Sequence, residues 1–219
     1  MNLIFDYDGT LHDCIKIYAP AFRKAYARLV SLSLAEERAW PEREISQWLG
    51  FSANEMWDRF LPALPQSLKD ECSRIIGDEM LRLVRAGQAR LYPGTLETLK
   101  RLRQSHTLIF LSNCKRSYME AHIGQFYLDD YFSAFYCAED FNFQEKYKIF
   151  DIIKQDSTGE FIVIGDRLHD MEVARTHGLK AIGCVYGYGQ PGELAQADLI
   201  ASGVEEIVPC LERMPTALL

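Results

Sequence analysis

The sequence lacks several features that mark particular classes of protein. It has no apolar run near the roughly 18 residues that a transmembrane helix needs. It has no basic stretch leading into a short apolar core, as a secretory leader would have. Basic residues are not in excess, since 24 Lys and Arg stand against 31 Asp and Glu, a net charge of −7. We therefore expect a cytoplasmic protein that binds neither membranes nor nucleic acid.

The six cysteines lack the spacing of a functional cluster. They form no CxxC pair and no Cys/His pattern typical of a zinc site. We expect free, mostly buried thiols in a reducing compartment. A hydrophobic content of 48% and a charged content of 25% are ordinary, so the 219 residues predict a folded protein with a substantial core.

Charge and periodicity divide the chain into two regions. Residues 15–90 carry 12 Lys and Arg against 10 Asp and Glu, whereas the remainder carries 12 against 21. Within 15–90, apolar residues recur at spacings of three and four, as on amphipathic helices, and no convincing strand interrupts them. We predict a helical domain over 15–90 and a second domain formed by 1–14 and 91–219.

The second region alternates between strand-like and helix-like segments. The apolar runs typical of strands are Leu3–Phe5, Thr107–Leu111, Ala134–Cys137, Phe161–Ile164 and Ala181–Val185. Segments with helical periodicity lie at 93–104, 115–126, 146–155 and 170–178. This alternation predicts an α/β fold with a doubly wound parallel sheet, into which the all-helical domain is inserted after the first strand.

Polar residues follow several of these strands at the point where each strand ends. They are Asp6 and Asp8, then Ser112 and Asn113, then Asp166 with Asp170 four residues later. The carboxyl ends of parallel strands share one edge of the sheet, so we expect these side chains to converge. Three or four converging carboxylates repel one another unless a cation lies between them. Oxygen ligands without His or Cys favour Mg²⁺ over zinc.

These residues stand in four motifs whose order resembles that of the haloacid dehalogenase superfamily, in particular its phosphatases of the phosphoglycolate phosphatase type. The motifs are DYDGT at 6–10, SN at 112–113, a lysine in EKYK at 145–148 and GDRLHD at 165–170. The similarity extends to LYPGTLETLKRL and FYLDDYFSAFYCAEDF, and so covers the predicted α/β domain almost end to end. It implies that the helical insert is the small cap domain of that superfamily.

The resemblance implies a Mg²⁺-dependent phosphatase that hydrolyses a small phosphorylated metabolite through an aspartyl-phosphate. Asp6 would be the nucleophile. The lack of an activating base beside it is no obstacle, because a carboxylate is already ionised at neutral pH. Asp8 would protonate the leaving alkoxide and then activate water. The implied Mg²⁺ ligands are Asp6, the backbone carbonyl of Asp8, Asp166, and Asp170 directly or through water. Ser112 and a lysine would bind the phosphoryl oxygens.

Further residues are candidates for contact with the substrate. Gly9 would let the backbone turn past the phosphate. Asn113 belongs to the second motif, and Thr10 fits either a phosphate contact or a local backbone hydrogen bond. In the insert, LGFSANEMW resembles the loop with which this family reaches into its site, so Ser52 is a candidate. Ser52 also fits the N-cap of an ordinary helix.

Some of these positions have a structural alternative. Ser112 and Asn113 precede the predicted helix at 115–126 and would suit its N-terminus, and Asp170 would suit the N-cap of the helix that follows it. His12 stands where the family commonly has a small apolar residue, so its role is open. The oligomeric state is open between monomer and homodimer.

Helical periodicity selects one lysine of the third motif. The apolar residues of KYKIFDIIK are Ile149, Phe150, Ile152 and Ile153. At about 100° per residue, Lys146 lies within roughly 40° of their mean direction and Lys148 roughly 120° away. We predict that Lys146 reaches the carboxylates from the first turn and that Lys148 is solvated. A helix that began later would leave both lysines in a loop.

Other functions fit part of the sequence. A phosphosugar mutase of the same superfamily shares the first aspartate pair, and a catalytically silent interaction module would share the fold. The intact carboxylates argue against the silent module. GYGQPG at 187–192 fits the GxGxxG pattern of dinucleotide-binding oxidoreductases. It follows the fifth predicted strand instead of the first, so we interpret it as a loop beside the site.

Overall fold

The structure, a computed structural model, describes residues 1–190 and 192–214. The chain forms two compact units. One comprises Met1–Asp13 and the described residues from Leu91 on, and the other comprises Cys14–Arg90. None of the helices in the described part is both long and apolar enough to span a membrane.

The helices occur in both units. In the second unit they are α1 (Ile15–Ser31), α2 (Glu42–Ile45), α3 (Ala53–Phe60) and α4 (Gln66–Arg85). In the first unit they are α5 (Thr95–Leu102), α6 (Arg116–Phe126), α7 (Lys146–Asp156), α8 (Leu168–His177) and α9 (Ile207–Arg213).

The first unit is built on a parallel sheet with six strands among the described residues. They are β1 (Asn2–Phe5), β2 (Thr107–Ser112), β3 (Ala134–Cys137), β4 (Phe161–Gly165), β5 (Lys180–Cys184) and β6 (Leu199–Ala201). Their order across the sheet is β3-β2-β1-β4-β5-β6, and every neighbouring pair is parallel. The strand order reverses between β1 and β4, which is where doubly wound sheets bind ligands at their carboxyl edge.

Alternating side chains of the strands pack into a core on each face of the sheet. Leu3 and Phe5 of β1 pack in one cluster with residues of α5, α6 and α9. Ile4, between them, packs in the other cluster with residues of α7 and α8. Successive side chains of a strand point to opposite faces, so a central strand covered on both faces must be apolar throughout. The predicted doubly wound α/β fold is confirmed.

The sheet contains one strand that the sequence did not predict. Strand β6 pairs with β5 at the edge of the sheet and is three residues long. Three residues are too few to show a hydrophobic period, and Ile200 in the middle of the strand is exposed. Pairing with β5, which no local pattern specifies, makes this segment a strand.

The second unit, Cys14–Arg90, contains helices and turns and no strand. Helices α1 and α4 pack along one another. In α1, Phe22, Ala25 and Leu29 are buried at spacings of three and four, as the sequence pattern predicts. Phe22 also contacts the rings of Trp40 and Phe60, each at 5.5 Å between centroids. Aromatic packing therefore joins α1 to the segments around α2 and α3.

We expect Phe22→Ala to lower the stability of the helical unit by about 3–5 kcal/mol, because truncation of a fully buried aromatic ring leaves a cavity. The three tryptophans of the chain, Trp40, Trp48 and Trp57, lie in this unit, so their fluorescence reports on its unfolding. The urea midpoint of the fluorescence transition should fall. Leu34→Ala removes an exposed side chain of the same unit and should leave the midpoint unchanged. Equal midpoints for both variants would contradict the prediction.

Candidate active site

The DYDGT motif forms a tight turn after β1. The amide N–H groups of residues 10–12 all donate to the carbonyl oxygen of Tyr7, at 3.2, 2.9 and 2.9 Å. Gly9 has a φ of +92°, in the left-handed region that favours glycine. A Cβ at Gly9 would also lie 2.3 Å from Asp166 Oδ2. Glycine is therefore required here both by the backbone angle and by the approach of a carboxylate.

Three carboxylates meet at the carboxyl edge of the sheet. Asp6 follows β1, Asp166 follows β4, and Asp170 lies in the first turn of α8. One oxygen from each lies within 4.8 Å of the others. All three side chains are buried. The amide of Asp6 donates to the carbonyl of Ile164 at 2.9 Å, which continues the β1–β4 pairing up to the cluster.

Lys146 provides the ammonium of this cluster. It is the first residue of α7, and its side chain is 4% exposed. Its Nζ lies 2.5 Å from Asp6 Oδ1 and 2.7 Å from Asp170 Oδ1. Burial opposes the charged form, but Asp170 and Asp6 together raise the pKa of Lys146 above its usual range. Lys148 is 48% exposed and pairs with Glu145 at 2.8 Å.

The buried face of α7 is narrower than the sequence predicted. Ile149, Phe150 and Ile153 are buried, whereas Ile152 is 41% exposed, so its assignment to the apolar face was wrong. At about 100° per residue, Ile152 lies roughly 110° from the mean direction of the other three. Lys146 lies roughly 15° from that direction, and this explains why its side chain points toward the sheet.

One ammonium does not balance three buried carboxylates. Burial and the charge of Asp170 raise the pKa of Asp6 to about 7, against the opposing effect of Lys146. Burial and the charges of Asp6 and Asp170 also raise the pKa of Asp166 well above its usual range. The sequence suggested an ordinary, fully ionised carboxylate at Asp6, and its burial beside Asp170 changes that expectation. The donor set consists of oxygens alone and has surplus negative charge, so it fits Mg²⁺.

Asp166 is fixed by contacts with two loops. The hydroxyl of Thr10 donates to Asp166 Oδ1 at 3.2 Å, and the amide of Tyr188 donates to Oδ2 at 2.7 Å. A Cβ at Gly187 would lie 2.3 Å from Asp166 Cβ. The GYGQPG segment therefore packs directly against the carboxylate cluster, and Pro191 lies outside the described residues. Thr10 donates to a carboxylate, a contact that we did not consider from the sequence.

The side chain of Asp8 has different partners from those of Asp6. Its Oδ1 lies 2.6 Å from His12 Nδ1 and accepts a hydrogen bond from the hydroxyl of Tyr118 at 2.9 Å. Burial opposes the ionised form, but the hydrogen bond and the charge of His12 hold the pKa of Asp8 below its usual range. The pKa of Asp6 is thus raised and the pKa of Asp8 lowered, although both belong to one motif. Opposite pKa shifts in neighbouring groups are typical of acid–base sites.

Sequence reasoning missed several polar residues around Asp8. Tyr118 and His122 are four residues apart on one face of α6, and both are buried. The Tyr7 hydroxyl lies 2.7 Å from His122 Nδ1. The sequence signal that could have indicated them is their spacing, since two polar residues four positions apart lie on one helical face among apolar neighbours. Their partners on the first motif lie more than 100 residues earlier in the chain, so local pattern alone does not reveal the contact.

The residues of the second motif differ in their placement. Ser112 is the last residue of β2, adjacent to β1, and is buried. Asn113 is exposed. The alternative that this pair caps α6 does not match the structure, because the N-cap residue is Lys115. The side chain that bonds the start of the helix is that of Glu139, whose Oε2 accepts from the amide of Arg116 at 2.8 Å.

Asp170 and Ser52 both lie at the start of helices. The N-cap residue of α8 is Arg167, and its amide donates to Asp170 Oδ2 at 3.1 Å. Asp170 therefore closes the first turn of α8 with one oxygen and contacts Lys146 with the other. Ser52, in the helical unit, is the N-cap of α3 and forms a reciprocal capping box with Glu55. The ordinary structural role considered for Ser52 is thus present.

Comparisons with known proteins agree with this architecture. Residues 3–184 match the family model described as haloacid dehalogenase-like hydrolase. The phosphoglycolate phosphatase of Pectobacterium atrosepticum is 25% identical over 96% of this chain and 92% of its own. That of Synechococcus elongatus is 26% identical over 89% and 88%. A solved haloacid dehalogenase-like hydrolase from Streptococcus pneumoniae covers 96% of this chain and 97% of its own, with a TM-score of 0.79 and 21% identity.

We expect Gly187→Ala to destabilise the protein by about 1–3 kcal/mol, because the added methyl would lie 2.3 Å from Asp166 Cβ and 2.5 Å from the Gly9 carbonyl oxygen. The matched control is Gly124→Ala in α6, where an added Cβ meets nothing within 4 Å. That variant should be neutral or more stable by up to about 1 kcal/mol. Thermal unfolding followed by circular dichroism measures both, and a similar loss in both variants would contradict the prediction.

Proposed function

Because the chain belongs to the haloacid dehalogenase-like hydrolase family and is a phosphatase, we propose that it hydrolyses the phosphate monoester of a small metabolite through an aspartyl-phosphate on Asp6, with Mg²⁺ as cofactor. One observation carries the proposal. A buried ammonium, Lys146, lies between Asp6 and Asp170 at 2.5 and 2.7 Å, and Asp166 completes a carboxylate cluster at the carboxyl edge of the sheet.

The residues that would hold Mg²⁺ are Asp6, Asp166 and Asp170, with the backbone carbonyl of Asp8 as the motif comparison implies. Their carboxylate oxygens lie close enough to share one cation, and Lys146 offsets only part of their charge. When bound, Mg²⁺ would supply positive charge to stabilise the phosphoryl oxygens as negative charge develops on them.

Asp6 is the proposed nucleophile. Burial disfavours its ionised form, so a nearby cation is needed to keep the carboxylate charged at neutral pH. Lys146 meets part of that need, and bound Mg²⁺ would supply the rest. The ammonium also fixes the orientation of the carboxylate through a hydrogen bond to Oδ1. Asp6 bonds to phosphorus as the bond from phosphorus to the ester oxygen breaks.

Asp8 is the proposed general acid and then the general base. His12 and Tyr118 hold its carboxylate, and its side chain is 30% exposed. Its lowered pKa leaves it ionised in the resting protein. An incoming phosphate anion beside it favours the protonated form, which can give its proton to the leaving oxygen. The ionised Asp8 then accepts a proton from the water that attacks the aspartyl-phosphate.

We propose that the helical unit acts as the cap that selects the leaving group. It is inserted in the chain directly after the turn that carries Asp6 and Asp8. The core motifs specify phosphoryl transfer, while the leaving group is chosen by groups outside them. Ser112, Asn113 and, in the helical unit, Ser52 are the candidates for substrate contact.

A cytoplasmic phosphorylated metabolite is the substrate class that we propose. The curated relatives are phosphoglycolate phosphatases that align over most of their length, so 2-phosphoglycolate is the first compound to test. All six cysteines are free, which suits a reducing compartment.

The purified protein should hydrolyse p-nitrophenyl phosphate in the presence of Mg²⁺ and lose that activity in excess chelator, because the carboxylate cluster has surplus negative charge without a cation. Unaided phosphate monoester hydrolysis is extremely slow, so even weak turnover is a clear signal. The assay is release of p-nitrophenol with and without chelator.

Asp6→Asn is the control for that assay, since it keeps the size of the side chain and removes the nucleophile. It should show no turnover at any Mg²⁺ concentration and no phosphoryl group on the protein after rapid acid quench. Equal activity with and without metal, or a fully active Asp6→Asn, would refute the proposed function.

Lys146→Ala should reduce kcat/KM on p-nitrophenyl phosphate by about 10²–10³, because it removes a buried donor aimed at the nucleophile. Lys148→Ala is the matched control two residues away. The Lys148 side chain is half exposed, and in the described part of the chain its one salt bridge is with Glu145. It should change kcat/KM less than about threefold. A larger loss in Lys148→Ala than in Lys146→Ala would reverse the assignment.

A further inference from the structure

The carboxylate of Asp8 is held by two buried groups that form and break no bond in the proposed catalytic steps. His12 Nδ1 lies 2.6 Å from Asp8 Oδ1, and the Tyr118 hydroxyl donates to the same oxygen at 2.9 Å. The His12 side chain is fully buried and Tyr118 is 8% exposed, whereas the Asp8 side chain is 30% exposed. Both partners therefore reach Asp8 from the protein interior, on the side away from solvent.

The aromatic neighbours of His12 fix the orientation of its ring. The ring stacks on Tyr7 with centroids 5.3 Å apart and planes 12° apart. It meets the ring of His122 in a T-shaped contact at 4.5 Å. The His122 ring in turn contacts Tyr118 at 4.3 Å and is hydrogen-bonded to the Tyr7 hydroxyl. Turning the plane of the His12 ring would disturb its contacts with Tyr7 and His122, which are themselves fixed by their own partners, so the packing keeps Nδ1 directed at Asp8.

The hydrogen bonds to Asp8 are unequal between its two oxygens. A carboxylate only accepts hydrogen bonds, so His12 carries a hydrogen on Nδ1 when Asp8 is ionised. Oδ1 then receives two hydrogens, one from His12 and one from Tyr118. Among residues 1–190 and 192–214, no hydrogen bond to Oδ2 occurs. A proton on Oδ1 would face both donors, whereas Oδ2 is available to a reacting group.

We infer that His12 and Tyr118 are positioning residues that fix the Asp8 carboxyl group with its transferable proton on Oδ2, an inference that rests on the proposed function of Asp8. In the first step the Oδ2–H bond breaks and the proton passes to the ester oxygen. That oxygen keeps the electron pair of its bond to phosphorus, while Asp6 bonds to phosphorus. In the second step water gives a proton to Oδ2, its oxygen bonds to phosphorus, and Asp6 leaves as a carboxylate.

The test is the dependence of kcat/KM on the leaving group in a series of substituted phenyl phosphates. A phenolate of low pKa leaves without a proton, and one of high pKa needs proton donation. His12→Leu and Tyr118→Phe should lose about tenfold or more on the poorest leaving group and less than about threefold on p-nitrophenyl phosphate. The slope of log kcat/KM against leaving-group pKa should be shallow in the wild type. His12→Asn, whose side-chain amide can donate from near the position of Nδ1, should restore that shallow slope.

The controls are His106→Leu and Tyr127→Phe, which remove a histidine ahead of β2 and an exposed hydroxyl at the end of α6. Both should keep the wild-type slope. Damage to the fold lowers kcat/KM for every leaving group equally. If the plot of kcat/KM against leaving-group pKa for Tyr118→Phe is parallel to that of the wild type, the inference is overturned. Tyr118→Phe keeps the aromatic ring, so this test stands even if His12→Leu does not fold. Asp8→Asn should steepen the slope most; if it does not, the proposed role of Asp8 fails as well.

A second readout does not depend on turnover. Nitrogen-15 spectra of the imidazole rings in the metal-free protein should show His12 with a hydrogen on Nδ1. That hydrogen should exchange slowly with water, because the ring is fully buried. A bare Nδ1 would mean that the shared proton lies on Asp8 Oδ1, which would overturn the inference.

Discussion

The buried ammonium of Lys146 is the interaction on which the rest of the site depends. It joins the end of β1, through Asp6, to the first turn of α8, through Asp170, from the first turn of α7. Buried carboxylates at one edge repel one another. Removal of one partner from a buried ion pair, such as Lys146 with Asp6, typically costs about 3–5 kcal/mol because it leaves an uncompensated charge. Without Lys146, the convergence of strand ends that brings Asp6 near Asp166 would be an electrostatic penalty.

Glycine makes the density of this cluster possible. A Cβ would lie within 2.3 Å of Asp166 from either Gly9 or Gly187, and 2.2 Å from Asp170 Cγ at Gly165. Backbone therefore approaches the carboxylates at three points where any other residue would displace them. The resulting lack of space for solvent is the reason that burial shifts the pKa of Asp6 and Asp166 upward.

The surroundings of Asp6 and Asp8 separate two chemically identical side chains. Asp6 is buried among carboxylates with one ammonium, and its pKa is raised, while Asp8 is held by His12 and Tyr118, and its pKa is lowered. They lie two positions apart in a turn where three amides converge on the Tyr7 carbonyl. The division between nucleophile and proton carrier that we propose therefore arises from neighbours instead of residue type.

Local patterns in the sequence predicted a large part of this arrangement. Apolar runs followed by Asp6 and Asp166 indicated which strands end in carboxylates, because chain direction places those ends at one edge of a parallel sheet. Helical periodicity placed Lys146 on the inner face of α7 and Lys148 outside. The same rule failed at Ile152, because it does not state how wide a face the neighbouring elements cover.

What the sequence by itself determined is the class of fold and the convergence of Asp6, Asp166 and Asp170, since both follow from the order of local patterns along the chain. The side chain of Asp8, expected to join them, is held instead by His12 and Tyr118. Only the tertiary structure decided the protonation and partners of each group. Tyr118 reaches Asp8 across 110 positions and Lys146 reaches Asp6 across 140. Such contacts depend on how elements pack, and burial of a carboxylate is set by every element around it, so neither is written in a local pattern.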